Sequence, residues 1–530
     1  MNAPDYVIPL IVATPLLGAF LTPLVSRLGE KIRQVFVLVI LGITGVFIGL
    51  LGSDVFTSGV PRTYIFGAKN LSLPVVRILF EVDSMSLFMA LVSFVLVLVA
   101  VIYSWSFMKE HDGLDKYYTL LLLLFTAMLG MELTGDLFNF FVFLEITCIS
   151  SAALIAFWVY KPEAVEAAFK YIVVSAIGAL FILFAIGLLY AQYNALNIGV
   201  IGSLLQFTFL DKIALVLFLV VLTMKAGLVP MHMWLPDSYG QAPHAATLVI
   251  IGATQASLYG LLRICFTLYG NVFNEISPVS SMVFGGLITG LALLAIFVGV
   301  IMALMQTDFT RLIAYAAVAE VGYILLGIGV RLSSVQISFD ALGLGHVVTY
   351  PAYGVTALQG SVFHIFNDVL DIGLLFLVAG AVYYATKERS LDNLAGLSRQ
   401  MKYTTVFFII GFLAISGMPP MNGFASKLML YESTFQLNPI LGIVAILCSI
   451  LLLAVFVKVF YSVFLGPQLP HMIEVKEVPR SMLIAMAIIA GLIIFIGLFP
   501  DLILQNLVQP ATQALFGYKT YFSQVIMGGI

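Results

Sequence analysis

Residues 222–237, LTMKAGLVPMHMWLPD, decide the reading of this chain: a strongly apolar run that carries Lys225 and is then broken by Gly227, Pro230 and Pro236. A lysine at bilayer depth costs about 2.5–3.5 kcal/mol on insertion scales, so it is rarely kept without a partner or a task. Backbone freed by a helix break is tolerated at that depth only where it packs in protein or lines a cavity. Residues 413–430, LAISGMPPMNGFASKLML, repeat the pattern, with Lys427 beside Gly417, Pro419 and Pro420. A buried lysine beside a broken apolar helix, once in each half, is the signature of an ion-conducting membrane protein with duplicated, discontinuous helices.

Composition agrees with that class. Of 530 residues, 62% are hydrophobic and only 10% charged, which places the chain in a lipid bilayer. The net charge of −3 and the absence of a basic run exclude a nucleic-acid partner. Cys148, Cys265 and Cys448 fall in apolar stretches at unrelated spacings, so neither a disulfide framework nor a metal site is expected, and all three read as small core residues. The sequence has no cysteine cluster for iron–sulfur, no haem-ligand pair and no glycine-rich phosphate loop, so no cofactor and no redox centre is expected in this chain. Its first 26 residues carry Asp5 but no Lys or Arg, so the first span is expected to stay as a membrane helix.

The sequence thus predicts an all-α polytopic membrane protein with about fourteen transmembrane helices, each of roughly 20 apolar residues. Lys and Arg concentrate in alternate loops, from Arg27, Lys31 and Arg33 through Lys476 and Arg480, whereas the opposite side holds Arg62, Lys69, Arg77, Lys212, Arg263, Arg331 and Lys519. The positive side faces the cytoplasm, which puts both termini outside a cell (inner) membrane. The expected organisation is residues 1–116 for three N-terminal helices and an extracytoplasmic loop, 117–269 and 280–465 for two five-helix repeats, and 466–530 for a last helix and tail. An odd number of helices per repeat makes the second inverted on the first. By this count Lys225 falls in the third member of its repeat and Lys427 in the fourth. Residues 53–84 read as a loop with a hairpin, and the segment after Pro500 as a short helix along the surface or against a neighbour.

Carboxylates inside apolar runs come next. Glu145 lies mid-span in residues 136–158 with no other charge nearby, and Lys225 is its candidate partner: a buried Glu/Lys pair would act as a coupled proton switch, or as a static pin between two helices. Glu320 lies within AYAAVAEVGYILLG. His364, Asp368 and Asp371 are four and three residues apart, so they share one face of another apolar helix. Histidine can pass protons near neutral pH, and carboxylates can carry protons or bind a hard cation such as Na⁺. Such a stripe could also face a polar partner subunit. Glu132 reads as interfacial and Lys458 as a snorkelling residue.

Residues 225–264, with FVFLEI (141–146) before them and QTDFTRLIAYAAVAEVGY (306–323) and SGMPPMNGFASKLMLYES (416–433) after, resemble the antiporter-like subunits of respiratory complex I, membrane-bound hydrogenase-type complexes and Mrp multisubunit Na⁺/H⁺ antiporters. The resemblance covers roughly residues 75–470, with motifs in the family order. It implies fourteen helices, inverted five-helix repeats, broken helices 7 and 12 and a central row of charged residues. It also implies that Glu145 and Lys225 serve a first half-channel, that Lys427 ends a second, and that His364 is the histidine of the eleventh helix. The protein would move H⁺, and possibly Na⁺, beside other membrane subunits, driven by a redox peripheral arm or, in a Mrp-type complex, by an ion gradient.

The chain departs from this pattern in ways that bear on conduction. Gln255 stands where relatives commonly have a connecting lysine or histidine; Glu320 stands where the tenth helix often has His or Gln; Asp368 and Ile372 stand where many relatives have His and Lys. An amide cannot titrate. Water or cations would have to bridge Gln255, or the route is interrupted and the protein is a structural or conformational relay.

Overall fold

The computed structural model describes residues 4–66, 78–339 and 346–529. In chain order the helices are α1 (Val7–Ser26), α2 (Glu30–Ser58), α3 (Ser84–Phe107), α4 (Leu114–Leu133), α5 (Leu137–Ile155), α6 (Pro162–Tyr193), α7 (Ile198–Leu204), α8 (Phe209–Lys225), α9 (Trp234–Gln241) and α10 (His244–Leu262). They continue with α11 (Pro278–Met305), α12 (Phe309–Ser333), α13 (Ala352–Thr386), α14 (Lys402–Ile415), α15 (Asn422–Leu437), α16 (Pro439–Val459), α17 (Arg480–Leu498), α18 (Pro500–Ile503), α19 (Gln509–Phe516) and α20 (Tyr518–Gly529). Twelve helices among the described residues are long and apolar enough to cross a bilayer. The expected count of about fourteen is reached only if the two interrupted pairs, α8 with α9 and α14 with α15, are also crossings.

Burial follows composition. The most apolar stretches of α10, α12 and α13 are wholly buried, whereas those of α2, α6, α11, α16 and α17 are 39–44% buried. A helix apolar all round belongs in a core, and here the three core helices are also those carrying Gln255, Glu320, His364, Asp368 and Asp371. Polar groups on such helices must find their partners inside the protein.

Both interruptions end their first half-helix in the same way. Gly227 and Gly417 adopt left-handed φ of +84° and +68°. Leu228 N–H donates to Thr223 O at 3.0 Å and Met418 N–H to Leu413 O at 2.9 Å, the six-to-one bond that closes a helix C-terminus on a glycine. Each break also sends a side chain back across itself. Trp234 Nε1 donates to Met224 O at 3.0 Å, and Lys427 Nζ to Ile415 O at 2.6 Å. These bonds satisfy carbonyls that a broken helix otherwise leaves without donors.

The lysines themselves are not matched. Lys225 precedes its glycine by two residues, whereas Lys427 follows its glycine by ten. Both belong to the fourth member of a run of five, α4, α5, α6, α8 with α9, α10 and α11, α12, α13, α14 with α15, α16. The expected placement of Lys225 in a third member is therefore corrected, because the break itself is the fourth element. Further parallels support the same frame. Asp136 and Asp308 cap α5 and α12, accepting from Asn139 N–H and Arg311 N–H, each at 2.8 Å. Each aspartate also forms an antiparallel bridge to the segment after the next helix, at Asn197 and Ser390 respectively.

The hairpin expected in 53–84 is β1 (Arg62–Ile65) against β2 (Leu79–Val82), although α2 runs on to Ser58; Lys69 and Arg77 lie outside the described residues. A second hairpin, β3 (Gln336–Phe339) with β4 (His346–Thr349), joins α12 to α13. The tail is more than a surface helix: Thr512, Leu515 and Tyr521 are buried, with α19 packed on α3 and α20 on α7.

Candidate functional site

Glu320, near the midpoint of α12, meets α13 and α15 at the second break. Lys427 Nζ donates to Glu320 Oε1 at 2.7 Å, and His364 Nε2 lies 2.9 Å from Glu320 Oε2. His364 Nδ1 is 3.0 Å from Ser426 Oγ. The Tyr323 ring lies 4.3 Å from Lys427 Nζ. Glu320, His364 and Lys427 are at most 1% exposed. An ionised carboxylate only accepts, so Nε2 is the donor to Glu320, and the proton on Nδ1 distinguishes neutral from cationic imidazole. The three groups form one continuous hydrogen-bonded unit.

The stripe on α13 continues away from this group. Asn367 Nδ2 donates to Ser426 Oγ at 2.8 Å and to Asn422 O at 3.1 Å. Gln255 Nε2 on α10 donates to Asp368 Oδ2 at 2.6 Å. Asp371 lies against Gly423 and beside Asn422, with neither carboxyl oxygen in a well-formed hydrogen bond. The Gln255 amide thus joins the first run of five helices directly to the polar stripe of the second.

The first break is arranged differently. Lys225 ends α8 and its Nζ donates to Cys148 Sγ at 2.7 Å. No ion pair joins Lys225 to Glu145, which is half-buried on α5. The expected Glu145–Lys225 contact is thus not formed in this structure, because the lysine reaches α5 one helical turn beyond the glutamate, at the small Cys148 side chain. Counted from the capping aspartates, Cys148 and Glu320 occupy the same place, twelve residues on. A thiol meets the lysine of one break where a carboxylate meets that of the other. Leu144, Thr147, Tyr171, Trp234 and Thr254 line a small cavity beside Lys225.

Other expectations are adjusted by burial. Glu132, one residue from the end of α4, is fully buried and accepts from Ser93 Oγ at 2.6 Å. Arg263 and Arg331 are not loop charges. Arg263 is ion-paired with Asp83, and Arg331 stacks on Tyr350 at 3.7 Å. Lys458 is exposed near the end of α16. Sequence reading missed Asn367, Asn422, Ser426 and Tyr323, and took Cys148 as packing alone. A signal was present: Ser426 and Asn422 precede Lys427 on the half-helix that carries it, and buried amides in apolar helices seek partners.

Fold and site together define a polytopic membrane protein of the antiporter-like class, with a buried, proton-sharing group at a helix break. The family described as NADH:quinone oxidoreductase/Mrp antiporter, TM matches residues 134–351 and 342–453. NADH-quinone oxidoreductase subunit N of Desulforudis audaxviator is 32% identical over 435 residues, covering 78% of this chain and 80% of that protein. The A subunit of the Na⁺/H⁺ antiporter of Alkalihalophilus pseudofirmus is 28% identical over 522 residues, covering 95% of this chain but only 62% of that protein. A chain of the membrane-bound sulfane sulfur reductase, an archaeal respiratory membrane complex, superposes with a TM-score of 0.84 at 27% identity, covering 98% of this chain and 99% of that one. The chain belongs to the NADH:quinone oxidoreductase/Mrp antiporter family.

Proposed function

We propose that this chain translocates H⁺, or Na⁺, as one subunit of a larger complex in the cell membrane, driven by a redox peripheral module. The observation that carries this reading is the Lys427–Glu320–His364 group, wholly buried at a helix break and bonded at 2.7 and 2.9 Å. The reading has two half-channels. One holds Glu145 and Lys225, the other Glu320, His364 and Lys427, with Asp368, Asp371 and Gln255 between them. In this reading α8 with α9 and α14 with α15 complete fourteen crossings, 117–269 and 280–465 are inverted repeats, and both termini are extracytoplasmic. Moving one proton against 100 mV requires about 2.3 kcal/mol, within reach of a buried charge switch.

The test is ion flux by the intact complex in proteoliposomes. Lys427→Ala and Glu320→Gln are each expected to reduce flux at least tenfold while the complex still assembles; wild-type flux in both overturns the proposal. A second reading, membership of a gradient-driven Na⁺/H⁺ antiporter, is favoured by the match along 95% of this chain to the antiporter protein of Alkalihalophilus pseudofirmus.

A further inference from the structure

A second polar group is sealed away from both breaks, beneath the β1–β2 hairpin and the tail. Arg263, in the continuation of α10, pairs with Asp83, which caps α3 by accepting from Ser86 N–H at 2.9 Å. The same guanidinium donates to Tyr259 Oη at 2.8 Å and to Ser86 Oγ at 3.0 Å. The rings of Tyr259 and of Tyr521, from α20, lie 5.1 and 5.0 Å from it. Tyr259 Oη donates to Glu132 O at 2.7 Å, and the Glu132 carboxyl accepts from Ser93. Ser86 and Ser93 are seven residues apart on α3, so they share a face.

Glu81, on β2, completes this group and stands apart within it. It is 0% exposed and neither carboxyl oxygen is in a well-formed hydrogen bond. Gly135 gives it room: a Cβ there would lie 2.9 Å from Glu81 Cβ and 3.2 Å from Oε2. Of the charged and titratable groups facing it, Arg263 is already engaged by Asp83, and Tyr521 presents its phenol. Two buried carboxyls thus share one guanidinium. Burial pushes the Glu81 carboxyl well above the usual carboxylate range, and Asp83 adds to this, while Arg263 and Tyr521 oppose it. A buried acid without its own counter-ion is a candidate proton carrier.

We propose that Glu81 is a proton-carrying residue beside the first half-channel, exchanging protons with Glu132 along the Ser86–Ser93 face of α3. The step breaks an O–H bond on one carboxyl and forms one on the other. Intervening hydroxyls and waters each give up one proton as they take another, so none is changed. This rests on the translocation reading above, and it adds a group that none of the broken-helix residues touches.

The experiment uses the intact complex in proteoliposomes, with flux measured across a series of pH values and infrared difference spectra recorded over the same series. Glu81→Gln is expected to lower flux at least fivefold and to remove one inflection from the pH profile, together with one protonated-carboxyl stretching band. Tyr521→Phe should shift that inflection and keep the band. A wild-type profile with every carboxyl band retained in Glu81→Gln overturns the proposal. If Glu81→Gln does not assemble, an unshifted inflection in Tyr521→Phe overturns it instead. Loss of the band without any change in flux, with Lys427→Ala also silent, would sink the translocation reading while leaving Glu81 as a proton site.

Discussion

Glu320 is the residue that gathers the buried polar group at the second break. Its two oxygens engage Lys427 and His364, and all three side chains are out of reach of water. Removing one member of a buried pair leaves an uncompensated charge, a loss of about 3–5 kcal/mol, whereas neutralising both can be close to neutral. Lys427→Met alone should therefore lower the thermal unfolding temperature of the purified complex clearly. The double change Lys427→Met with Glu320→Gln should recover much of that loss, since the remaining amide still accepts from His364. A double variant no more stable than the single one would mean that packing, not charge, holds this site. Cys148 makes the contrast: a thiol beside Lys225 asks for no counter-charge, and that contact should matter less to stability.

At the scale of elements, each break turns on a glycine in the left-handed region. At Gly417, with φ of +68°, an added Cβ would lie 3.1 Å from Lys427 Cδ. Gly417→Ala incurs the left-handed penalty of roughly 1–2 kcal/mol and also presses on the lysine stem, so both stability and flux should fall. Gly491→Ala is the control, since nothing lies within 4 Å of its added Cβ and alanine is the better helix former. Equal losses in the two variants would show that the backbone at the break carries no special demand. The capping aspartates Asp136 and Asp308 explain how two runs of five helices reach the same local geometry from different sequences: each fixes a helix start and pairs with the segment after the next helix.

For the whole molecule, the decisive fact is how unevenly it is buried. Helix α6 presents Phe169 at 67% and Leu180 at 65% exposure, and α2, α11 and α16 are similarly open on one side. Such faces meet lipid or other membrane subunits. Purification in mild detergent from the native membrane, followed by mass spectrometry, should recover further hydrophobic subunits together with iron–sulfur or nickel proteins. Recovery of small hydrophobic subunits alone would favour the gradient-driven antiporter, and recovery of this chain by itself would contradict both.

The amino-acid sequence by itself determined the membrane class, the two interrupted helices, the family and the residues Glu145, Lys225, Glu320, His364, Asp368, Asp371 and Lys427 as polar exceptions in apolar helices. These are local facts: hydropathy, glycine and proline placement, and helical spacing within one element. Only the tertiary structure decided which of them meet. Lys427 joins Glu320 across a sequence separation of 107 residues, Gln255 joins Asp368 across 113, and Lys225 bypasses Glu145 for Cys148. Partner choice depends on where Lys225, at the end of α8, reaches α5, and on the packing of α10 on α13 and of α12 on α15; a one-turn difference in where a side chain meets a neighbouring helix exchanges a carboxylate for a thiol. Periodicity within a helix says which face a residue occupies, but not the height at which another helix crosses it.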